Sequence, residues 1–267
     1  MSTVRDAEVL LHGGTTNAGL VSRVGDTVRR PWRPTSPATH ALLDHLERVG
    51  FDGAPRFLGV DDRGREVLSY IAGEAAIVPY PEWSLTDETL ISVAELLRRY
   101  HDAVASFNPS GHDWPAAVPA AFHGGLVSHN DPNLDNVIFS GGRAVALIDF
   151  DLAGPGSAAW DVACAARLWA PLRDERDVPA AVRGRALERL RTFVDAYGAP
   201  RQEHARIVDA VIHTHDWAYD IVRAAVARGH QTFWDHWEGG GHGRADRTRD
   251  WIDDNREEMA AALGARD

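Results

Sequence analysis

The 267-residue chain contains no lysine, and all 28 of its basic residues are arginine. Compositional bias is enough to produce that, but the chemical consequence does not depend on the cause. A Walker-type phosphate loop is excluded, as are a Schiff-base mechanism and any catalytic lysine. A cation that holds phosphate in this chain must be an arginine. Cysteine is almost absent as well: Cys164 stands alone and has no partner for an internal disulfide, which points to a reducing cytoplasm. No stretch approaches the ~20 apolar residues that cross a bilayer, and the first residues lack the layout of a secretory signal. A cytoplasmic protein without a membrane partner is expected. The net charge of −11 disfavours a nucleic-acid partner and suits a cationic ligand.

What is present is ordinary globular material, 44% apolar and 25% charged, long enough for one large domain or two lobes. Short apolar runs alternate with Gly-rich turns over residues 8–31, where Val24-Gly25-Asp26-Thr27-Val28 reads as a hairpin. Residues 37–49 read as a helix that buries Leu42, Leu43, Leu46 and Val49. A second hairpin runs from Phe57 through Asp61-Asp62-Arg63-Gly64 to Ile71. Ser84 or Thr86 caps a helix with Leu90, Val93, Leu97, Tyr100 and Val104 at helical spacing. Residues 107–126 read as an irregular connection. Further helices are expected over 178–197, 201–229 and about 244–263.

The chemistry concentrates between Ser128 and Asp161. His129-Asn130-Asp131 is followed by Asn136, five residues after Asp131. Two apolar runs, Val137 to Phe139 and Ala144 to Ile148, form a hairpin that ends at Asp149, and Trp160-Asp161 comes later. Singly, each polar residue is more often a turn former; their joint spacing reverses those odds. A loop carboxylate accepts a hydrogen bond from a hydroxyl. One turn on, an amide oxygen and a second carboxylate offer the hard ligands that suit Mg²⁺.

This pattern resembles the aminoglycoside phosphotransferase and choline kinase group of small-molecule kinases. Asn130 stands where protein kinases carry Arg, Asp151 where they carry Gly, and Trp160-Asp161-Val162-Ala163 comes after them. The resemblance is sharp over 126–168, loose over 8–75 and general beyond 170. It implies an α/β (α+β), bilobal, protein-kinase-like fold. Residues 1–72 would form a small antiparallel β-sheet lobe that binds nucleotide, and 73–267 a larger, mainly helical lobe. The implied activity is transfer of the γ-phosphoryl group of ATP or GTP to a hydroxyl of a small molecule. Asp131 would position that hydroxyl and take its proton, and Asn136 and Asp149 would hold Mg²⁺. His129 would brace the loop, and Asp161 would hydrogen-bond its backbone. Gly13 and Gly14 fall where a glycine-rich loop covers the phosphates, without the full Gly-x-Gly-x-x-Gly. Ser69, Tyr70 and Ile71 fall in the connection whose backbone binds adenine.

The family's phosphate-binding lysine sits where this chain has Arg29 and Arg30. Strand alternation places Val28 and Arg30 on one face, which favours Arg30 as the phosphate cation. The helix glutamate that pairs with that lysine falls near His40, so both members of the pair are replaced, with Asp44 or Glu47 as candidate substitutes. Asp135 is expected at the surface, and Asp151 either behind the metal or in solvent. On the helix of 201–229, Asp209, His213, Asp216 and Asp220 share one side, with Trp217 adjacent. Turned to the cleft, Asp216, Trp217 and Asp220 would suit a cationic acceptor such as an aminoglycoside or amino-alcohol. Turned to water, they form a solvated face. His213 and His215, two apart on a helix, point in different directions and argue against a metal site. Two other classes stay in view: a non-catalytic nucleotide-binding protein, and a metal-dependent hydrolase built on His129, Asp131, Asp149 and Asp151. Nucleotide turnover separates the first from a kinase, and hydrolysis without nucleotide would mark the second.

Overall fold

The computed structural model describes residues 7–11, 19–115 and 117–265. The expected Gly13 and Gly14 lie outside the described residues. The amino-terminal part is built from strands β1 (Glu8–Leu10), β2 (Ser22–Val24) and β3 (Thr27–Pro31), helix α1 (Ser36–Arg48), and strands β4 (Phe57–Val60) and β5 (Arg65–Ser69). The strands form one antiparallel sheet in the order β1-β2-β3-β5-β4. Alternation along β5 buries Glu66 and Leu68 on one face. Helix α1 buries Leu42, Leu43 and Leu46, whereas Val49, expected on that face, is 45% exposed. It is the residue at which the helix stops, so the 3.6-residue period no longer governs its direction.

The chain then passes through Gly73, whose φ is 152°. A Cβ there would collide with the Phe139 carbonyl oxygen, so only glycine fits the crossing. Beyond the crossing lie β6 (Glu74–Ala75), α2 (Asp87–Val104), β7 (Leu126–Ser128), β8 (Val137–Ser140), β9 (Arg143–Leu147) and β10 (Gly154–Gly156). Then come α3 (Ala158–Trp169), α4 (Ala186–Tyr197), α5 (His204–Ala227), α6 (Gln231–His236), α7 (His242–Asp254) and α8 (Arg256–Leu263). Antiparallel sheets thus sit mainly in the amino-terminal part and helices dominate the carboxyl-terminal part. Among the described residues, no helix is long and apolar enough to cross a membrane.

Thr86 caps α2 by accepting from the Thr89 N–H at 3.2 Å, and Leu90, Val93, Leu97, Tyr100 and Val104 are all fully buried. Helix α3 packs on α5, and α2 on α4. Two expected helices differ in extent. The helix expected over 178–197 begins only at Ala186, because Pro179 starts a separate short turn and Gly184 adopts a φ of 77°. The terminal helix is divided into α7 and α8 at Asn255.

Candidate active site

The segment from Ser128 to Asp149 is shaped by local hydrogen bonds. The Asn133 side chain caps the short turn Leu134–Asn136, which feeds directly into β8. β8 and β9 pair as a hairpin, and the Ile148 N–H then donates to the Asn136 carbonyl at 2.9 Å. That bond sets Asp149 beside Asn136. Asp149 itself has φ 59°, and Asn130 has φ 68°. Left-handed backbone at two non-glycine residues is unfavourable, and such residues cluster where function demands a fixed direction.

The loop is anchored from below by Asp161, which is fully buried on α3. Its two oxygens accept the N–H groups of His129 and Asn130, each at 2.8 Å, and His101 Nε2 lies 2.9 Å away. Burial raises the Asp161 pKa, but hydrogen bonds and charge from His101 and His129 outweigh it and hold the carboxyl below its usual value. The Asn130 side chain donates to the Leu152 carbonyl and accepts from Trp160 Nε1, locking the strained residue on both sides. His129 has both ring nitrogens occupied, by the Ile148 carbonyl at 3.0 Å and the Asp131 N–H at 3.3 Å. It is a brace, with burial lowering its pKa, and neither nitrogen is free for a metal as the hydrolase alternative requires.

Asp131 sits at the tip of this loop. Asn136 Nδ2 donates to the Asp131 carbonyl at 3.0 Å and to its Oδ2 at 2.9 Å, and Asn133 Nδ2 donates to Oδ1 at 3.1 Å. Burial, with Asp149 and Asp135 nearby, raises Asp131 to about 7. Burial and Asp151 raise Asp149 to about 6. A divalent cation against Asp149 acts in the opposite direction.

Arg30 faces these carboxylates from the sheet. It is 8% exposed, and its Nη1 lies 2.8 Å from Asp151 and 3.3 Å from Asp149. Its Nε donates to Glu66, the residue directly opposite on β5. His40 Nε2 meets the other Glu66 oxygen at 2.8 Å. Burial alone would lower the Arg30 pKa; Asp151, Glu66 and Asp149 more than offset it. The expected substitutes do not serve Arg30: Glu47 meets Arg56 at 3.4 Å and Asp44 is exposed. The carboxylate that serves Arg30 lies on the neighbouring strand and not on the helix. The signal for it was the alternation Glu66, Leu68 with Arg30 in register across the sheet. Arg29, on the opposite face, turns to Thr27 and Asp61.

Between the two parts lies a cavity of about 310 Å³. Val28, Leu68, Ile138 and Ile148 give it apolar walls, and Arg30, Asn136 and Asp149 stand at one end. Ser69, Tyr70 and Ile71 border it as well. The Ser69 N–H is committed to the Arg56 carbonyl and the Tyr70 N–H to the Asp26 carbonyl, both at 2.9 Å. Among the described residues the Ile71 N–H has no such backbone partner. Asp135, expected at the surface, also lines this cavity.

The residues expected on α5 are not brought to this centre. Asp216 is bound by Arg249 at 2.8 and 3.2 Å, Asp220 is exposed and 3.4 Å from Arg223, and Asp209 meets Arg256. Trp217 donates to the Ala117 carbonyl at 2.8 Å and packs edge-on against Trp160. The acidic side of α5 is an ion-paired surface. Where the sequence suggested acid near the acceptor, Arg167 of α3 lies within electrostatic reach of Asp131.

A nucleotide-sized cavity between a sheet and a helical body, with an Asp-bearing loop at its mouth, is the architecture of the kinase-like phosphotransferases. The Phosphotransferase enzyme family profile matches residues 112–198. The trifolitoxin immunity protein of Rhizobium leguminosarum bv. trifolii is 37% identical over 232 residues, covering 82% of this chain and 85% of that protein. A choline/ethanolamine kinase family protein from Mesorhizobium loti superposes with a TM-score of 0.59 at 18% identity, over 91% of this chain and 88% of the other. The streptomycin–ATP ternary complex of APH(2")-IIa superposes with a TM-score of 0.54 at 16% identity, over 82% and 85%. The chain belongs to the phosphotransferase enzyme family.

Proposed function

We propose that the protein moves the γ-phosphoryl group of ATP or GTP onto a hydroxyl of a small molecule. The observation that carries this reading is the meeting of Arg30, Asn136 and Asp149 at one end of an apolar cavity, with Asp131 on the loop beside them. Base and ribose would occupy the apolar part, with the Ile71 N–H as donor. The phosphates would then point at Arg30, which would release part of its bond to Asp149 and Asp151 to meet them. Asn136 and Asp149 fit Mg²⁺: because Asn136 spends its NH₂ group on Asp131, its carbonyl oxygen is left to face the ion together with the Asp149 carboxylate. The ion, when bound, neutralises phosphate charge.

Asp131 accepts the acceptor hydroxyl, aligns its oxygen with phosphorus and takes its proton. A carboxylate with a pKa near the working pH is matched to that task. Asp161, His101 and His129 hold the loop so that alignment costs no further ordering. The Arg30–Glu66–His40 chain restores the fixed cation that the missing lysine and helix glutamate would have supplied, which argues against the non-catalytic alternative. The expectation of a cationic acceptor drew on the net charge, the family resemblance and the acidic side of α5; of these, Asp216 and Asp220 are already paired with arginines.

The test is to incubate the protein with γ-labelled ATP or GTP, Mg²⁺ and a panel of hydroxyl compounds. Label appearing on an acceptor supports the reading; no nucleotide turnover with any acceptor contradicts it.

A further inference from the structure

Beside Asp131, on the side of the carboxyl-terminal helices, lies a group of arginines for which nucleotide and metal binding have no use. Arg167 on α3, Arg173 just beyond it and Arg244 on α7 all approach the Tyr219 phenol of α5 closely enough to act on it electrostatically. Arg167 acts in the same way on Asp131, and Arg167 and Arg173 act on each other. All three arginines are half-buried. Among the described residues none of the three has a hydrogen bond or an ion pair, and the Arg167 Nε is sealed from solvent with no acceptor.

That arrangement is costly as it stands. Buried donors without partners lose their water and gain nothing in return, and two neighbouring guanidinium groups repel. Other arginines of this region are satisfied: Arg189 by Asp87, Arg249 by Asp216, and Arg247 by three bonds to Asp177. Asp177, which also acts on Arg173 and Tyr219, is therefore already taken. Burial lowers the pKa of Arg167 and of Arg173. Arg173 opens onto a cavity of about 200 Å³ that also touches Tyr80, Leu134 and Trp169. Leu134 lies three residues after Asp131, and Trp169 Nε1 donates to the Pro132 carbonyl at 2.8 Å, so the cavity abuts the catalytic loop. In a chain of net charge −11, positive charge gathered here with no ion-paired carboxylate among the described residues marks a place for a ligand's own negative charge.

We infer that the acceptor is anionic: a small hydroxyl compound whose carboxylate or phosphate is held by Arg167 and Arg173, with Arg244 and Tyr219 alongside. This inference rests on the phosphotransferase reading and names its substrate class. In the step it implies, the acceptor hydroxyl oxygen forms a bond to the γ-phosphorus. The bond from that phosphorus to the β–γ bridging oxygen breaks, the hydroxyl proton passes to Asp131, and the nucleoside diphosphate leaves. Arginine suits the anchoring role because its planar fork matches both carboxylate and phosphate oxygens.

Four three-carbon probes with different charge test it: glycerol, 3-amino-1,2-propanediol, D-glycerate and glycerol 3-phosphate. Each is titrated by calorimetry into the full chain loaded with Mg²⁺ and a non-hydrolysable ATP analogue. D-glycerate or glycerol 3-phosphate should bind at least ~10-fold tighter than the neutral and cationic probes, and the tighter of the two tells carboxylate from phosphate. Arg173→Gln, in a loop at the cavity wall, should erase roughly tenfold of that preference, and Arg167→Gln should do the same from the helix. Equal binding of all four probes, tightest binding of the aminodiol, or no binding by any of them overturns the inference. So does a preference that survives in both variants. Transfer of label from γ-labelled ATP to the same probes keeps the two readings apart. Selective anion binding without transfer supports the anionic site and counts against phosphoryl transfer. Transfer that favours the aminodiol does the reverse.

Discussion

Arg30 and Glu66 face each other across β3 and β5, and the Arg30 Nε donates to a Glu66 carboxylate with no solvent exposure. His40 holds the second oxygen at 2.8 Å and stacks on Phe57 at 3.6 Å between ring centroids. Helix, sheet and the Arg30 guanidinium are thereby joined through one carboxylate. Glu66→Gln keeps the shape and removes the charge. It should lower stability by about 1–3 kcal/mol, since a buried charged donor loses its ionic partner. It should also reduce transfer, because Arg30 would settle further onto Asp149 and Asp151. Urea unfolding beside steady-state kinetics checks both.

The missing lysine gives a sharper comparison. Arg30→Ala should remove most of the transfer rate, whereas Arg29→Ala, on the opposite face beside Thr27 and Asp61, should change it little. Arg30→Lys should recover only part of the rate. A single ammonium cannot donate to Glu66 and to two aspartates in the directions that a guanidinium spans. Equal rates in the two alanine variants would move the phosphate cation elsewhere.

Asn136→Ala and Asp149→Ala should weaken Mg²⁺-dependent nucleotide binding without unfolding the protein, as both side chains line a cavity. Titration of Mg²⁺–nucleotide into each variant reads this directly. Affinity equal to that of the wild type would leave the metal without its ligands.

Much of this site was legible in the sequence because it is local. Asp131, Asn136 and Asp149 lie on one loop and one hairpin, and the spacing of a hairpin is fixed by strand geometry. Arg30 emerged from alternation along a single strand. Glu66 was not found because its partnership is a matter of register between strands 36 residues apart in sequence. Arg167, Arg173, Arg244 and Tyr219 come from three helices and a loop, and no periodicity links them. The acidic side of α5 misled for the opposite reason: its spacing was clear, but Arg249 and Arg256, which neutralise it, arrive from later in the chain.

Asp161 gives a prediction in pH. Its folded pKa lies below the ordinary aspartate value of 3.8, so the folded state holds fewer protons there than the unfolded chain. The associated stability is present above about pH 4 and is lost as the pH falls through the folded pKa. Asp161→Ala should cost about 3–5 kcal/mol at neutral pH by stranding two N–H groups and His101. The gap between variant and wild type should narrow in acid. Denaturant unfolding at several pH values measures it, and a gap independent of pH would mean that packing alone is lost.

If Asp131 directs phosphoryl transfer to a hydroxyl, its carboxylate is needed for transfer and not for nucleotide binding. Wild type and Asp131→Asn are given γ-labelled nucleotide, Mg²⁺ and the best acceptor found, and label on the acceptor is counted while nucleotide affinity is measured in parallel. Label transfer by the wild type and a fall of ~10²–10⁴-fold in the variant are expected, with nucleotide affinity nearly unchanged. Equal transfer by the two proteins, or none by the wild type, would contradict it.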